Sequence, residues 1–287
     1  MRTHAAARPS HPAHTPARGV DSPWIVGRVT APGARLRLIC LPQAGGSAAS
    51  YAPWRLTPPP GVELATVELP GRGVRSAEPL PDTLEELADA VLDGIADELS
   101  GPYALFGHSF GALLGYELAL RVRRRGLTPP AALFVSASRA PHTPVLKRVS
   151  HLDDRGLLDW LEGFGGFPPG LRGYPAYLRY ALRTVRRDLA LAEAYVSADP
   201  VSPGCPLHVL GGADDSLVSR DRLERWSECA SDGFTLRLLP GGHDHLFTGA
   251  ERTLGAVADA LGLFGTAADG RVAHHGPGEP GPFPREL

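Results

Sequence analysis

The sequence predicts an α/β fold in which a mostly parallel sheet carries helices on both faces. Short apolar runs with the character of strands alternate along the chain with longer segments of helical periodicity, the pattern of a parallel sheet with crossover helices. The 287 residues are 43% hydrophobic, which is enough for one large core. One apolar strand also runs through a glycine-flanked turn directly into an apolar helix. Such a connection places side chains at the sheet edge where ligands bind.

Six strands and three helices are predicted in this core. The strands are short apolar runs bounded by Gly, Pro or polar residues, at residues 35–41, 62–69, 103–108, 131–136, 206–210 and 234–239. Helical periodicity is found at residues 83–100, 110–125 and 249–263. Thr83 and Glu86 have the spacing of a capping box at the start of the first helix. The expected folded unit covers residues 31–265.

Residues 139–203 interrupt the alternation and predict a helical insertion. They contain two helical stretches, 152–164 and 175–196, joined by a segment rich in Gly and Pro. One interpretation is a lid whose aromatic side chains, Trp160, Phe164 and Phe167, line a pocket for an apolar substrate group. The other interpretation is a small helical subdomain with ordinary packing.

Composition and charge exclude several functional classes. Residues 1–30 and 266–287 are rich in Pro, Gly, Ala and His without periodicity, and we expect a disordered leader and tail. The net charge of −2 gives no reason to expect binding to nucleic acid or to a membrane. No signal peptide or membrane-spanning run is found, and the three cysteines are typical of a reducing compartment. The sequence therefore predicts a cytoplasmic protein with no metal and no cofactor.

The segment Gly107–Gly111 reads G-H-S-F-G and predicts a serine nucleophile at Ser109. Such a serine occupies a tight, strained turn, which leaves no room for side chains at the flanking glycines. The following helix directs its free N–H groups towards a developing oxyanion. The alternative is a glycine-rich turn in which Ser109 only caps the helix.

A serine nucleophile needs a histidine base and a carboxylate that orients it, which in this arrangement follow it along the chain in the order acid, then histidine. Asp214 and Asp215 come after one later strand, and His243 and His245 follow the next. All of them are predicted at the edge where Ser109 lies. Asp215 is preferred because a Gly lies three residues before it and a Val three residues after it, and His243 is preferred because it directly follows two glycines that free its loop.

Stabilising an oxyanion takes two backbone N–H donors. The residue after the nucleophile, Phe110, is expected to supply the first. The second is expected from the glycine-rich loop 41–47, with Ala44 preferred over Gln43. Gln43 is also predicted to contact the substrate at the rim of the site.

Five separated motifs, at residues 41–47, 68–73, 106–112, 210–215 and 240–243, carry a family resemblance. In order they read LPQAGGS, ELPGRG, FGHSFGA, LGGADD and PGGH. Together they resemble the type II thioesterases of polyketide and nonribosomal peptide assembly lines, over about residues 31–263. The resemblance implies an α/β-hydrolase fold with the triad Ser109, Asp215 and His243, and Ala44 and Phe110 at the oxyanion positions.

The same resemblance implies a function and a partner. The enzyme would hydrolyse acyl groups from the phosphopantetheine arm of acyl carrier or peptidyl carrier proteins. Separately from the resemblance, we expect a monomer. Two departures are present: Gln43 replaces a common aromatic residue or His, and Asp244-His245 replaces a usually aromatic pair. Arginines at residues 121–125 and 179–187 are candidates for docking an acidic carrier. The alternatives are a general carboxylesterase or lipase, an acyltransferase, and a degenerate hydrolase that only binds partners.

Overall fold

The computed structural model describes residues 22–167 and 170–263. The predictions made for residues 1–21 and 266–287 lie outside them. Within the described ranges, no helix combines the length and the apolar character needed to cross a bilayer.

The core is a sheet of six strands, and every described pair of neighbours is parallel, in the order β2-β1-β3-β4-β5-β6. The strands are β1 Leu36–Leu41, β2 Val62–Thr66, β3 Tyr103–His108, β4 Leu133–Ser136, β5 Leu207–Gly212 and β6 Phe234–Leu239. The register pairs Leu41 with Gly107 and His108 with Ser136, so neighbouring strands end at the same edge. The expectation of a mostly parallel sheet is confirmed, and the loops after the strands converge on this carboxyl edge.

Helices cover both faces of the sheet. They are α1 Ala52–Leu56, α2 Leu84–Gly94, α3 Phe110–Arg124, α4 Asp154–Glu162, α5 Pro175–Ala194, α6 Arg220–Glu224, α7 His245–Thr248 and α8 Ala250–Ala260. Alternate side chains of β1 enter two separate cores. Ile39 packs in the core that α2 and α3 share, and Leu38 packs in the core that α1 and α8 share.

The predicted helix 83–100 is interrupted after Gly94. Thr83 accepts a hydrogen bond from the Glu86 amide at 3.1 Å, so the predicted cap is present. A short 3-10 turn, Ala96–Leu99, replaces the expected last turn. A Cβ at Gly94 would lie 2.1 Å from Nε1 of Trp24, so the N-terminal segment packs against this helix end. Gly94 is therefore required by a long-range contact that helical periodicity does not reveal.

The insertion between β4 and β5 forms its own small core. Helices α4 and α5 pack their apolar faces against each other through Leu157, Leu161, Leu182 and Val185. At its C-terminal end, α5 joins the main core through Leu191. The insertion is thus anchored at the base of α5, while the segment around residues 163–173 links its two helices.

The expected disordered leader is wrong for residues 22–30. Ile25 forms an antiparallel bridge with Val67 and is only 3% exposed. The Arg75 guanidinium lies 3.4 Å from the centroid of the Trp24 ring. Isolated bridges hold this segment to the sheet, and the stacking of Arg75 on Trp24 holds it to the loop after β2. Such single contacts need no periodic pattern of apolar residues, so the sequence did not reveal them.

Replacing Ile25 with Ala should lower the free energy of unfolding by about 2–4 kcal/mol, since it leaves a cavity in the core. Leu56→Ala is the matched control, because Leu56 is 82% exposed, and it should change stability by less than about 0.5 kcal/mol. Denaturant unfolding measures both. Equal effects of the two changes would contradict a structural role for residues 22–30.

Candidate active site

Ser109 lies in a strained turn between β3 and α3. Its φ of 55° is in the left-handed region that side-chain-bearing residues rarely adopt. A Cβ at Gly107 would lie 2.0 Å from the Gly111 carbonyl oxygen, and a Cβ at Gly111 would lie 2.3 Å from the Leu41 carbonyl oxygen. Both flanking positions therefore require glycine, and the turn holds the Ser109 hydroxyl beyond the end of the sheet.

The structure brings Ser109, His243 and Asp215 into one hydrogen-bonded line. His243 Nε2 lies 3.1 Å from Ser109 Oγ, and His243 Nδ1 lies 2.9 Å from Asp215 Oδ2. These residues follow β3, β6 and β5, so the shared carboxyl edge of the sheet assembles them. With Nδ1–H donated to the carboxylate, Nε2 is left to accept the serine proton.

Asp215, and not its neighbour Asp214, holds His243. Its side chain is fully buried, and Oδ1 accepts hydrogen bonds from the amides of Leu217 and Val218 at 2.8 and 3.0 Å. Burial raises the pKa of Asp215, but the bond to His243 and the two amides outweigh it and leave that pKa below its ordinary value. Asp214 is exposed. Asp215 therefore stays ionised at neutral pH and has a fixed orientation.

His245, the alternative to His243, lies behind the site and away from Ser109. Its ring is buried, and its Nε2 lies 2.9 Å from Ser136 Oγ, which in turn lies 3.0 Å from His108 Nδ1. Burial lowers the pKa of both His108 and His245, so both rings are neutral near pH 7. This buried chain connects the His243 loop with β3 and β4, and sequence reasoning missed it because Ser136 carries no motif.

Both predicted oxyanion donors face the same cavity. Ala44 and Phe110 line it together with Ser109. Within the described ranges, neither amide is engaged with a hydrogen-bond acceptor. The helix α3 begins at Phe110, so its N-terminal dipole points towards the serine. The arrangement can accept negative charge on an oxygen next to Ser109 Oγ.

A buried ion pair fixes the loop that carries Ala44. Arg72 donates to both oxygens of Asp188, at 2.7 and 2.8 Å, and also to the Gly46 carbonyl at 3.0 Å. Asp188 accepts from the Gly45 amide at 2.7 Å. The Arg72 and Asp188 side chains are 3% and 0% exposed. Because Asp188 is on α5, the pair connects the insertion to the predicted oxyanion loop.

Asp188 is a positioning residue that the sequence did not reveal. Arg72 falls inside a motif at residues 68–73, but its partner lies 116 residues further along the chain. Nothing in the local pattern of α5 distinguishes Asp188 from a solvated acid. Only the folded chain shows that it is enclosed.

The cavity beside Ser109 has a volume of about 250 Å³ and a largely apolar lining. Gln43, Trp160 and Phe164 line it, as predicted. The Phe164 ring meets the His243 ring edge-on, with centroids 5.4 Å apart. Apolar side chains from α3, α5 and the acid loop complete the wall, namely Leu113, Leu189, Leu217 and Val218. Such a cavity suits an acyl chain.

The prediction for Phe167 is corrected. Its side chain is 8% exposed and packs in the core between α4 and α5, and it is not part of the cavity wall. An aromatic residue after a glycine turn can face a pocket or a core, and the sequence does not distinguish the two.

In the described residues, no group of three or more His, Cys, Asp or Glu could hold a metal ion.

The model of the thioesterase domain family matches residues 36–261. The chain belongs to the thioesterase family. All five motifs that carry the resemblance lie within these matched residues. The chain is thus a hydrolase that acts on thioesters.

Related proteins support this assignment. A probable cadicidin biosynthesis thioesterase of Streptomyces griseus is 34% identical over 226 residues, which are 79% of this chain and 62% of that protein. The gramicidin S biosynthesis protein GrsT of Aneurinibacillus migulanus is 32% identical over 225 residues, 78% of this chain and 88% of that protein. The solved type II thioesterase BorB, from the borrelidin biosynthetic cluster, is 34% identical with a TM-score of 0.73 and covers 85% of this chain and 98% of its own. The resemblance to type II thioesterases and the α/β-hydrolase fold are confirmed.

Replacing Asp188 with Asn should reduce the free energy of unfolding by about 3–5 kcal/mol, because Arg72 is left buried without its counter-ion. At a temperature where the variant stays folded, kcat should fall more than KM rises, since the loop carrying Ala44 loses its anchor. Chemical unfolding and steady-state thioester hydrolysis measure these effects.

The matched control is Asp154→Asn. Asp154 is an exposed lid carboxylate that pairs with Arg186 at 2.6 Å, and its loss should cost less than about 1 kcal/mol. Wild-type stability and kcat in Asp188→Asn would contradict the positioning role.

Proposed function

We propose that this protein is a serine thioesterase that releases acyl groups from the phosphopantetheine arm of carrier proteins in polyketide or nonribosomal peptide synthesis. The observation that carries the proposal is the line from Ser109 Oγ to His243 and Asp215 at the mouth of an apolar cavity. The names of the relatives, a cadicidin biosynthesis thioesterase and a gramicidin S biosynthesis protein, support the type of pathway.

Acylation begins when His243 Nε2 takes the Ser109 proton and Oγ attacks the thioester carbonyl carbon. The amides of Ala44 and Phe110 hold the oxygen that becomes negative. Asp215 stabilises the imidazolium that forms, because its carboxylate stays ionised. The carbon–sulfur bond then breaks, and the His243 imidazolium returns its proton to the departing sulfur, so that the arm leaves as a thiol and His243 is again neutral.

Deacylation repeats these steps with water in place of the hydroxyl. His243 removes a proton from water, the hydroxide attacks the ester carbonyl, and Ser109 recovers its proton as the carboxylic acid leaves. During both halves the acyl chain occupies the cavity lined by Gln43, Trp160 and Phe164.

The arginines expected to dock a carrier divide into two groups. Arg121 and Arg125 are held by Asp89, at 2.9 and 2.7 Å, and the lid residues Arg186 and Arg187 also bind carboxylates. Among the described residues, Arg123, Arg179 and Arg183 have no ion pair. Arg123 donates to the Ser202 carbonyl at 2.8 Å, whereas Arg179 and Arg183 are exposed one turn apart on α5. The docking hypothesis therefore narrows to these two cations, which remain available to an acidic carrier surface.

Hydrolysis of butyryl-carrier should fall by at least about a thousandfold in Ser109→Ala and by about ten thousandfold in Asp215→Asn. The control Asp214→Asn removes the neighbouring exposed carboxylate and should retain wild-type kcat/KM. Liquid chromatography of the carrier measures release of the acyl group. Undiminished hydrolysis in Ser109→Ala would refute the mechanism.

The same assay separates the proposal from a general esterase or an acyltransferase. A butyrate ester of equal acyl length should be hydrolysed with a lower kcat/KM than butyryl-carrier. Free butyrate should be the product even when an alcohol or amine is present. The opposite substrate preference, or transfer to the amine, would replace the proposed activity with one of these alternatives.

Charge reversal at both Arg179 and Arg183 to Glu should raise KM for butyryl-carrier and weaken the dependence of kcat/KM on salt. Hydrolysis of a butyryl thioester of N-acetylcysteamine, which has no carrier, should be unchanged. Arg35→Glu is the control, because Arg35 is exposed at the amino end of β1, the opposite edge of the sheet. An equal KM and salt dependence in wild type and the double variant would contradict docking through α5.

A further inference from the structure

Three cationic side chains line one part of the active-site cavity. Arg139, Lys147 and Arg222 all belong to its wall, and none of them has an ion pair with a carboxylate of the described residues. They come from the loop after β4, the start of the insertion and α6. Three like charges thus belong to the wall of one cavity, with no counter-ion among the residues that the structure describes.

Arg139 is the structural member of this group. Its guanidinium donates to the carbonyls of Thr143 at 3.0 Å and Ala192 at 2.9 Å, and to further carbonyls at residues 140, 141 and 195. These bonds leave little donor capacity for a ligand. Arg139 therefore contributes its charge to the cavity while holding the loop after β4 against the end of α5.

Arg222 and Lys147 retain free donors. Arg222 uses one nitrogen, Nη2, to bind the Pro144 carbonyl at 2.6 Å, and its side chain is half-buried. Lys147 is exposed and, among the described residues, its ammonium makes no hydrogen bond. The bond to Pro144 brings the guanidinium of Arg222 to the segment that carries Lys147.

The cations of this wall repel one another. Burial and the nearby Arg222 charge lower the pKa of Arg139 to about 10, and burial lowers the pKa of Arg222. The carboxylate among the described wall residues is Asp244, which lies beside Gly165 and pairs with none of the three. An anion bound between Arg222 and Lys147 would relieve this repulsion.

We propose that Arg222 and Lys147 form a subsite for an anionic group of the substrate. The inference rests on the proposed function, because it assigns a part of the acyl thioester to this part of the cavity. Two groups share the required chemistry: the phosphate of the phosphopantetheine arm, and a carboxylate at the far end of the acyl chain. Both would accept charge-assisted hydrogen bonds from the guanidinium and the ammonium.

Thioethers test the subsite without hydrolysis. One pair of ligands is S-butyl-4′-phosphopantetheine and S-butylpantetheine, which differ in the phosphate. The other pair is S-(4-carboxybutyl)pantetheine and its primary amide, which differ in the charge of the acyl end. Calorimetry gives the Kd of each ligand for wild type, for the double variant Arg222→Gln and Lys147→Gln, and for Arg220→Gln. Arg220 is the control on the same helix, since it pairs with Glu224 and lies outside the cavity wall.

We expect the charged member of one pair to bind wild type about tenfold more tightly, the effect of a charge-assisted hydrogen bond. The preference should disappear in the double variant and persist in Arg220→Gln. The pair of ligands that shows this preference for the charged member identifies the bound anion as phosphate or carboxylate.

Equal Kd values within both pairs for wild type would overturn the subsite, as would a preference that survives in the double variant. The single variant Lys147→Gln shows whether misfolding of the double variant causes the loss, because it removes no hydrogen bond within the described residues. It should partially weaken the preference for the charged ligand. A protein that binds the charged thioether more tightly but hydrolyses no acyl-carrier would contradict the proposed function and leave the subsite standing.

Discussion

The close contact between β1, β3 and the start of α3 is the constraint on which the site depends. Gly107 and Gly111 allow backbone atoms to approach where any side chain would collide. This approach forces Ser109 into its left-handed conformation and directs its hydroxyl away from the core. The packing of the sheet core offsets the energetic cost of that strain, so the stability of the fold and the orientation of the Ser109 hydroxyl are linked.

The parallel sheet then collects the remaining groups at one edge. Loops after β5 and β6 carry Asp215 and His243, and the loop after β1 carries Ala44. A second, buried layer holds these loops: His108, Ser136 and His245 lie behind the imidazole, and Arg72 with Asp188 lies behind the loop that carries Ala44. The insertion therefore lines the cavity and, through Asp188, also holds the loop that carries Ala44.

Much of this arrangement could be predicted from local sequence. Strand and helix patterns predicted the parallel sheet, and the motifs around Ser109, Asp215 and His243 predicted residues that the fold brings together. Long-range contacts were not predictable. The packing of Trp24 on Gly94 and Arg75, the burial of Phe167 and the pairing of Asp188 depend on partners with no local signal. The meeting of Arg222 and Lys147 at one cavity wall likewise has no local signal in the sequence.

The central claim is that Ser109 becomes covalently acylated by a carrier-bound thioester. Rapid acid quenching of the protein with excess butyryl-carrier, followed by mass spectrometry of its peptides, tests it most directly. The account predicts a butyryl mass increase on the peptide containing Ser109, which appears with the first equivalent of thiol and is absent when His243 is replaced by Ala. Turnover with an unmodified Ser109 peptide and an adduct on another residue would contradict it.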